Sequence, residues 1–237
     1  FSKNSYAKIN LTVNTAATVL QIDTFSASNE PFKVFNDNSR VNRISAHSFW
    51  VKKFNAKNKL TIGNNTQRIG VKFSDSVFLN TDNAYRVLRN EDEHTYLIQN
   101  YVQWQHRFKD NLSLNAGLNH QYFALNNSNA IEPRVGLTYN YRWKHKFAAA
   151  MGLHHQLQPL QLYYVRSFDS FGNTFQNNKN LDFSQSMHYV ISYDFTHRKT
   201  WHIKTELYYQ SLNSIPVDSF SSSYSALNEG VDFTTPS

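Results

Sequence analysis

The chain of 237 residues has no cysteine, so neither a disulfide framework nor a thiolate-held metal is open to it. It has no run of about 18 apolar residues, which excludes a transmembrane helix. Its first residues lack a charged segment followed by an apolar one, so no signal peptide is read there. No nucleophile elbow, phosphate loop or zinc-type histidine pair occurs, and glycine numbers only 7. Ser, His and Asp are plentiful, but no spacing groups them. An enzyme is not expected, nor a cofactor or resident metal. The net charge of +7 comes without a basic helix or clustered patch, because Lys and Arg are spread over turns and strand interiors. Nucleic acid is therefore not expected as a partner.

What the chain does have is alternation. Residues 95–164 hold four segments in which apolar and polar positions alternate. In the first, Tyr96, Ile98, Val102, Trp104, His106 and Phe108 are interleaved with Gln99, Gln103, Gln105 and Arg107. In the second, Leu112, Leu114, Ala116, Leu118 and Tyr122 oppose Ser113, Asn115, Asn119 and Gln121. The third runs through Ile131, Pro133, Val135, Leu137, Tyr139, Tyr141 and Trp143, against Glu132, Arg134, Thr138, Asn140 and Arg142. The fourth sets Phe147, Ala149, Met151, Leu153 and Leu157 against His154 and Gln156. Period two places each set on one face of a strand.

These strands are long, about 11 to 15 residues against a usual 5 or 6. Aromatics gather towards the ends of the apolar face, while amides and charges occupy the middle of the other. A barrel in lipid wants that arrangement: an apolar outer band, aromatic girdles and a polar lumen. A tilted strand needs about 9 to 11 residues to cross the hydrocarbon, and the lengths fit.

Elsewhere, Ala7, Ile9, Leu11 and Val13 mark a strand, and a weaker one surrounds Phe49, Trp50 and Val51. A third runs over 59–69, continuing as far as Phe73. Met187 to Phe195 and Trp201 to Tyr209 form a last hairpin. Tight turns are expected at 55–58, 109–111, 144–146 and 197–200, a short connection at 126–130, and long loops at 23–40, 70–94, 165–181 and 213–237. Short turns on one side and long loops on the other suit an up-and-down antiparallel barrel of about nine strands in this chain. Both ends read as cuts through a larger protein.

The stretches IEPRVGLTYNYRW (131–143), LHHQLQPLQLYY (153–164), NKNLDFSQSMHYVISYDF (178–195), IKTELYYQSLNSIPV (203–217) and SSYSALNEGVDF (222–233) go together. They resemble the barrel of TonB-dependent outer-membrane receptors of the Bacteroidetes type. The resemblance implies an all-β transmembrane barrel of about 22 strands with a plugged lumen, residing in the Gram-negative outer membrane. It implies uptake of a bulky nutrient (iron chelate, cobalamin, glycan or peptide) using energy from the inner membrane. The implied partners are outer-membrane lipid, the protein's own plug domain, the TonB complex, the nutrient and a surface lipoprotein. Residues 1–237 would all belong to the barrel, without the plug. No binding residue transfers, because the family's contacts lie on plug and loops without a shared motif.

The lumen-facing positions are Gln99, Gln103, Arg107, Glu132, Arg134, Arg142, His154, Gln156, Lys204 and Glu206. Hydrogen bonding to a plug is favoured for them over lining a substrate path, since buried charges need partners. Glu91, Asp92, Glu93 and His94 read as a solvated acidic loop in preference to a divalent-cation site. Adjacent on a strand, His154 and His155 point to opposite faces, lumen and lipid interface respectively. Two rival readings stay open: another outer-membrane barrel, passive channel or enzyme, and a soluble β-rich carbohydrate-binding module. The soluble module would enclose Val102, Trp104, Leu114, Leu118, Val135 and Leu137 in a core, whereas a barrel would leave them bare.

Overall fold

The computed structural model describes residues 4–26, 28–80, 83–142, 144–168, 173–197, 200–217 and 225. Nine strands form one antiparallel sheet in which every strand pairs with its neighbours in the chain. They are β1 (Ser5–Phe25), β2 (Pro31–Lys53), β3 (Asn58–Leu79), β4 (Ala84–Lys109), β5 (Leu112–Phe123), β6 (Ser128–Tyr141) and β7 (His145–Gln156), then β10 (Ser184–His197) and β11 (Trp201–Asn213). Between β7 and β10 the chain makes a short helix α1 (Leu160–Tyr163), a two-residue pair β8 (Ser167–Phe168) and β9 (Thr174–Phe175), and a 3-10 turn (Asn177–Asn180). Asparagine supplies the left-handed backbone of three turns between strands, at Asn29 (φ 63°), Asn83 (φ 48°) and Asn127 (φ 59°), a conformation that it tolerates better than most residues.

The expected fold class is what the chain adopts: an antiparallel, up-and-down sheet with the fold of part of a barrel. Two expected long loops are corrected. Residues 23–40 are strand on both sides of a turn closed by the Asn29 N–H bond to the Ser26 carbonyl, 2.9 Å. Residues 70–79 and 84–94 are the upper parts of β3 and β4, so the acidic stretch Glu91 to His94 is strand and not loop. The apolar alternation persists there, but its parity changes. Leu60 and Ile62 face one side of β3, whereas Ile69, Val71 and Phe73 face the other. Trp143, expected to end the third segment, lies outside the described residues, as do 169–172, 198–199 and nearly all of 218–237.

The sheet has two unequal halves. Strands β1 to β4 have 21, 23, 22 and 26 residues, about twice what a membrane crossing needs. The other five have 12 to 14. Pairing of β6 with β7 stops at Arg134 and Gly152. Pro133, with no N–H to give, stands beside that last pair. From there the described residues of the connection 157–183 fold back over the face that carries Gln99 and Glu132, here called the inner face.

The buried core sits where that connection lands. Ile69, Val71 and Phe73 of β3, Leu97 of β4, Phe123 of β5 and Ala130 of β6 pack on Leu160, Tyr163, Tyr164 and Phe183. Tyr164 meets Phe73 edge-on with ring centroids 5.6 Å apart, and Tyr163 lies 5.3 Å from Phe123. Below it the outer face stays open. Val102, Trp104, Leu118, Val135 and Leu137 are 38, 41, 45, 37 and 42% exposed, so they enclose no core. An apolar surface this extensive marks contact with lipid or protein.

Candidate functional site

A ladder of amides runs across the inner face at one level of four strands and ends on a carboxylate. Asn65 Nδ2 on β3 donates to Gln99 Oε1 on β4 at 2.9 Å. Gln99 Nε2 donates to Gln121 Oε1 on β5 at 3.0 Å, and Gln121 Nε2 to Glu132 Oε1 on β6 at 2.6 Å. The register makes this possible, because Asn65 is the Cα partner of Gln99 and Gln99 of Gln121. Glu132 lies two residue pairs off, opposite Asn119.

Glu132 closes the gap that the sheet leaves between β6 and β7. Its Oε1 accepts the His155 backbone N–H at 2.6 Å, while Gln121 Nε2 donates to the His155 carbonyl at 3.0 Å. Side chains thus replace the missing backbone ladder. Its Oε2 accepts from Arg134 Nη2 at 2.6 Å, and the Asn119 amide oxygen sits 3.1 Å from both terminal nitrogens of that guanidinium. Glu132 is 1% exposed. A buried carboxylate needs such donors, and with its oxygens so committed it holds the local geometry.

Beneath the ladder, Tyr6, His47, Phe49 and Tyr101 form an aromatic wall. His47 Nε2 is 3.1 Å from the Tyr101 hydroxyl. The Tyr101 ring lies across Gly63, where a Cβ would come within 2.3 Å of its Cζ, so a larger residue there would have to displace the ring. Wall and ladder line a concavity of about 970 Å³, and a neighbouring one of about 440 Å³ reaches Gln103, Arg134, His154 and His188.

The positions read from the sequence divide accordingly. Gln99, Glu132 and Arg134 belong to the ladder; Gln99, Gln103, Glu132, Arg134 and Gln156 line the larger concavity. His154 faces His188, rings 4.7 Å apart. Arg107, Lys204 and Glu206 share the inner face by register but lie lower, and Lys204 Nζ pairs with Glu206 Oε1 at 2.7 Å. Arg142 is displaced from the strand: β6 ends at Tyr141, and Arg142 (φ 49°) stands in the turn over the Tyr141 ring. His155 is not at the outer surface. Released from β6, it is 14% exposed and packs on Phe183. Sequence reasoning passed over Asn65, Asn119 and Gln121 as site residues, although the two on β5 stood on the polar side of the alternation.

Above the ladder the inner face carries two charge clusters. Arg89 grips Asp75 through Nε (2.8 and 3.0 Å) and Nη2 (2.6 Å), both side chains almost fully buried. Burial pushes the Asp75 carboxyl above its ordinary range, with the Arg89 guanidinium opposing. The acidic stretch is divided between faces. Glu91 accepts from Arg166 (2.9 Å) and Gln176 (2.8 Å) of the connection, and Glu93 lies 4.0 Å from Lys179. Asp92 faces the other way, 3.3 Å from Lys72. The four residues therefore converge on no common point, and their inward members clasp the connection.

No family profile matches the chain, and no curated protein does. Solved structures do. FpvA of Pseudomonas aeruginosa, bound to a heterologous pyoverdine and iron, superposes with a TM-score of 0.62 at 15% identity, over 90% of this chain and 31% of that one. The copper transporter OprC gives 0.62 at 8% identity, over 83% and 35%. FpvAI in complex with pyocin S2 gives 0.61 at 15%, over 88% and 30%. These neighbours are TonB-dependent outer-membrane receptors with β-barrels. At such identities the likeness establishes the fold, and the chain spans about a third of their length.

Proposed function

We propose that residues 1–237 form part of the barrel wall of a TonB-dependent outer-membrane receptor. In a Gram-negative cell the whole protein would take up a bulky nutrient with energy from the inner membrane. The observation that carries this reading is the bare apolar outer face opposite a polar, hydrogen-bonded inner one. Lipid offers no water to satisfy an open sheet edge, so a wall of this kind closes into a barrel. The barrel likeness supports it, and the Bacteroidetes type rests on the sequence stretches quoted above. In this reading the ladder packs against the plug domain. The nutrient, a TonB complex and a surface lipoprotein are the further partners of the whole protein.

The test is the outer face of the full-length protein. Single cysteines at Ile98, Trp104, Leu118 and Leu137 would each carry a polarity-sensitive probe in liposomes. Quenching by lipid-borne quenchers at all four is expected. Lipid-independent spectra from a protein soluble without detergent would sink the barrel and favour a soluble module.

A further inference from the structure

We infer that His154 and His188 form a binding site for a late first-row divalent metal ion, Cu2+, Ni2+ or Zn2+, on the inner face of the β7–β10 pair. The site goes beyond the barrel reading and does not depend on it, because both residues belong to the paired strands themselves. Register brings together two histidines that are distant in the sequence. β10 sets His188 opposite Gly152 and Ser186 opposite His154, so the histidines are diagonal neighbours on one face. Their ring centres are 4.7 Å apart and the planes are tilted by 49°. A metal about 2.0–2.1 Å from an imidazole nitrogen lies about 3.2 Å from that ring's centre, so two rings holding one ion at roughly a right angle have centres about 4.5 Å apart. The observed separation fits without movement of either strand.

Gly152 gives the pair its room. A Cβ there would lie 3.1 Å from His154 Nε2 and 3.2 Å from Arg134 Cγ, so Nε2 hangs over the glycine that pairs with His188. Among the described residues no hydrogen bond engages either imidazole, whose printed contact is with the other ring. The surroundings select the ion. No carboxylate lines the concavity of about 440 Å³ that both rings border, and Ca2+ and Mg2+ take oxygen ligands. Imidazole suits Cu2+, Ni2+ and Zn2+. Arg134 stands on the far side of Gly152, but its charge is met by Glu132 at 2.6 Å. No third His, Asp or Glu joins the pair among the described residues, so the ion's remaining positions are open to water or to a further ligand. An ion held this way exchanges, in contrast to one closed in by four protein ligands.

The experiment uses the full-length protein in detergent, stripped with EDTA, titrated with Cu2+ and read by electron paramagnetic resonance. A bound equivalent whose hyperfine pattern reports two nitrogens is expected, and it should be missing from the double variant His154→Ala, His188→Ala. Each single variant should bind at least about tenfold more weakly, because each removes one of two ligands. His120→Ala, which removes an imidazole elsewhere on the sheet, should change nothing. Gly152→Ala keeps both imidazoles and crowds Nε2, so it should weaken binding as well, and it decides the question where the double variant does not fold. Zn2+ should compete with Cu2+, and Ca2+ should not. Failure of the unaltered protein to bind Cu2+, an unchanged spectrum in the double variant, or displacement by Ca2+ would each overturn the site.

Discussion

The lower and upper parts of β2, β3 and β4 are built from the same unbroken strands with opposite polarity. Below about Gln67 the outward row is Trp50, Ile62, Val102 and their neighbours, and the inward row is Asn65, Gln99 and Gln103. Above it, Val41, Val71 and Phe73 point inward, whereas Arg40, Lys72 and Asp92 point outward. No register shift separates the two parts of β2–β3, and the one between β3 and β4 comes higher, at Asp75 and Ser76. A one-residue slip would have exchanged the faces by moving the backbone; here the side chains exchange them and the backbone stays in register. In the barrel reading proposed above, solvent explains the switch. In lipid the apolar face must look out. Beyond it water surrounds the sheet, and the apolar face must look in, where the connection 157–183 covers it.

The contrast breaks most sharply at the upper inner face. Phe73→Ala, at a side chain 1% exposed against Tyr164, should cost about 3–5 kcal/mol. Denaturant unfolding of the full-length protein in detergent would read it, together with faster proteolysis within 157–183. Unchanged proteolysis would mean that the connection is held by its charged clasp and not by the core.

A charge placed on equivalent outward positions should distinguish the two solvents. Leu118→Arg, on the belt, should destabilise by about 2–4 kcal/mol if the position lies deep in the hydrocarbon. Ser74→Lys, outward on the upper part of β3, should stay within about 0.5 kcal/mol. Folding yields into liposomes would compare them, and equal costs would erase the proposed boundary.

The smallest effect at neutral pH belongs to Tyr163 and Tyr164, whose hydroxyls burial pushes from 10.0 up to about 12. A folded pKa raised above the unfolded one gives stability that is complete below pH 10 and is lost as pH rises through about 12. Phenolate absorbance should therefore show two tyrosines ionising late, in step with release of the connection. Tyr164→Phe should remove one of them and leave the alkaline transition shallower.

Much of this was legible beforehand. The belt from Tyr96 to Phe108 and its polar counterface Gln99, Gln103 and Arg107 followed from period two alone. The upper parts of β3 and β4 did not, because Ile69, Val71 and Phe73 alternate in the parity opposite to Leu60 and Ile62. Glu91 to Glu93 added a charge density that reads as loop. Arg142 and His155 were misplaced for related reasons: where a strand ends, or leaves its neighbour beside Pro133, is settled by pairing and not by pattern.

The sequence by itself determined which residues alternate, and so that the chain is a run of long antiparallel strands with one apolar and one polar face. Alternation is a local property, set by the pleat of a single strand. Tertiary structure alone decided that Asn65, Gln99, Gln121 and Glu132 join into one ladder, and that 157–183 folds back on Phe73 and Phe123. Both depend on register between strands and on contacts across scores of residues, where hydrogen-bond geometry and burial choose among partners that the sequence leaves equivalent.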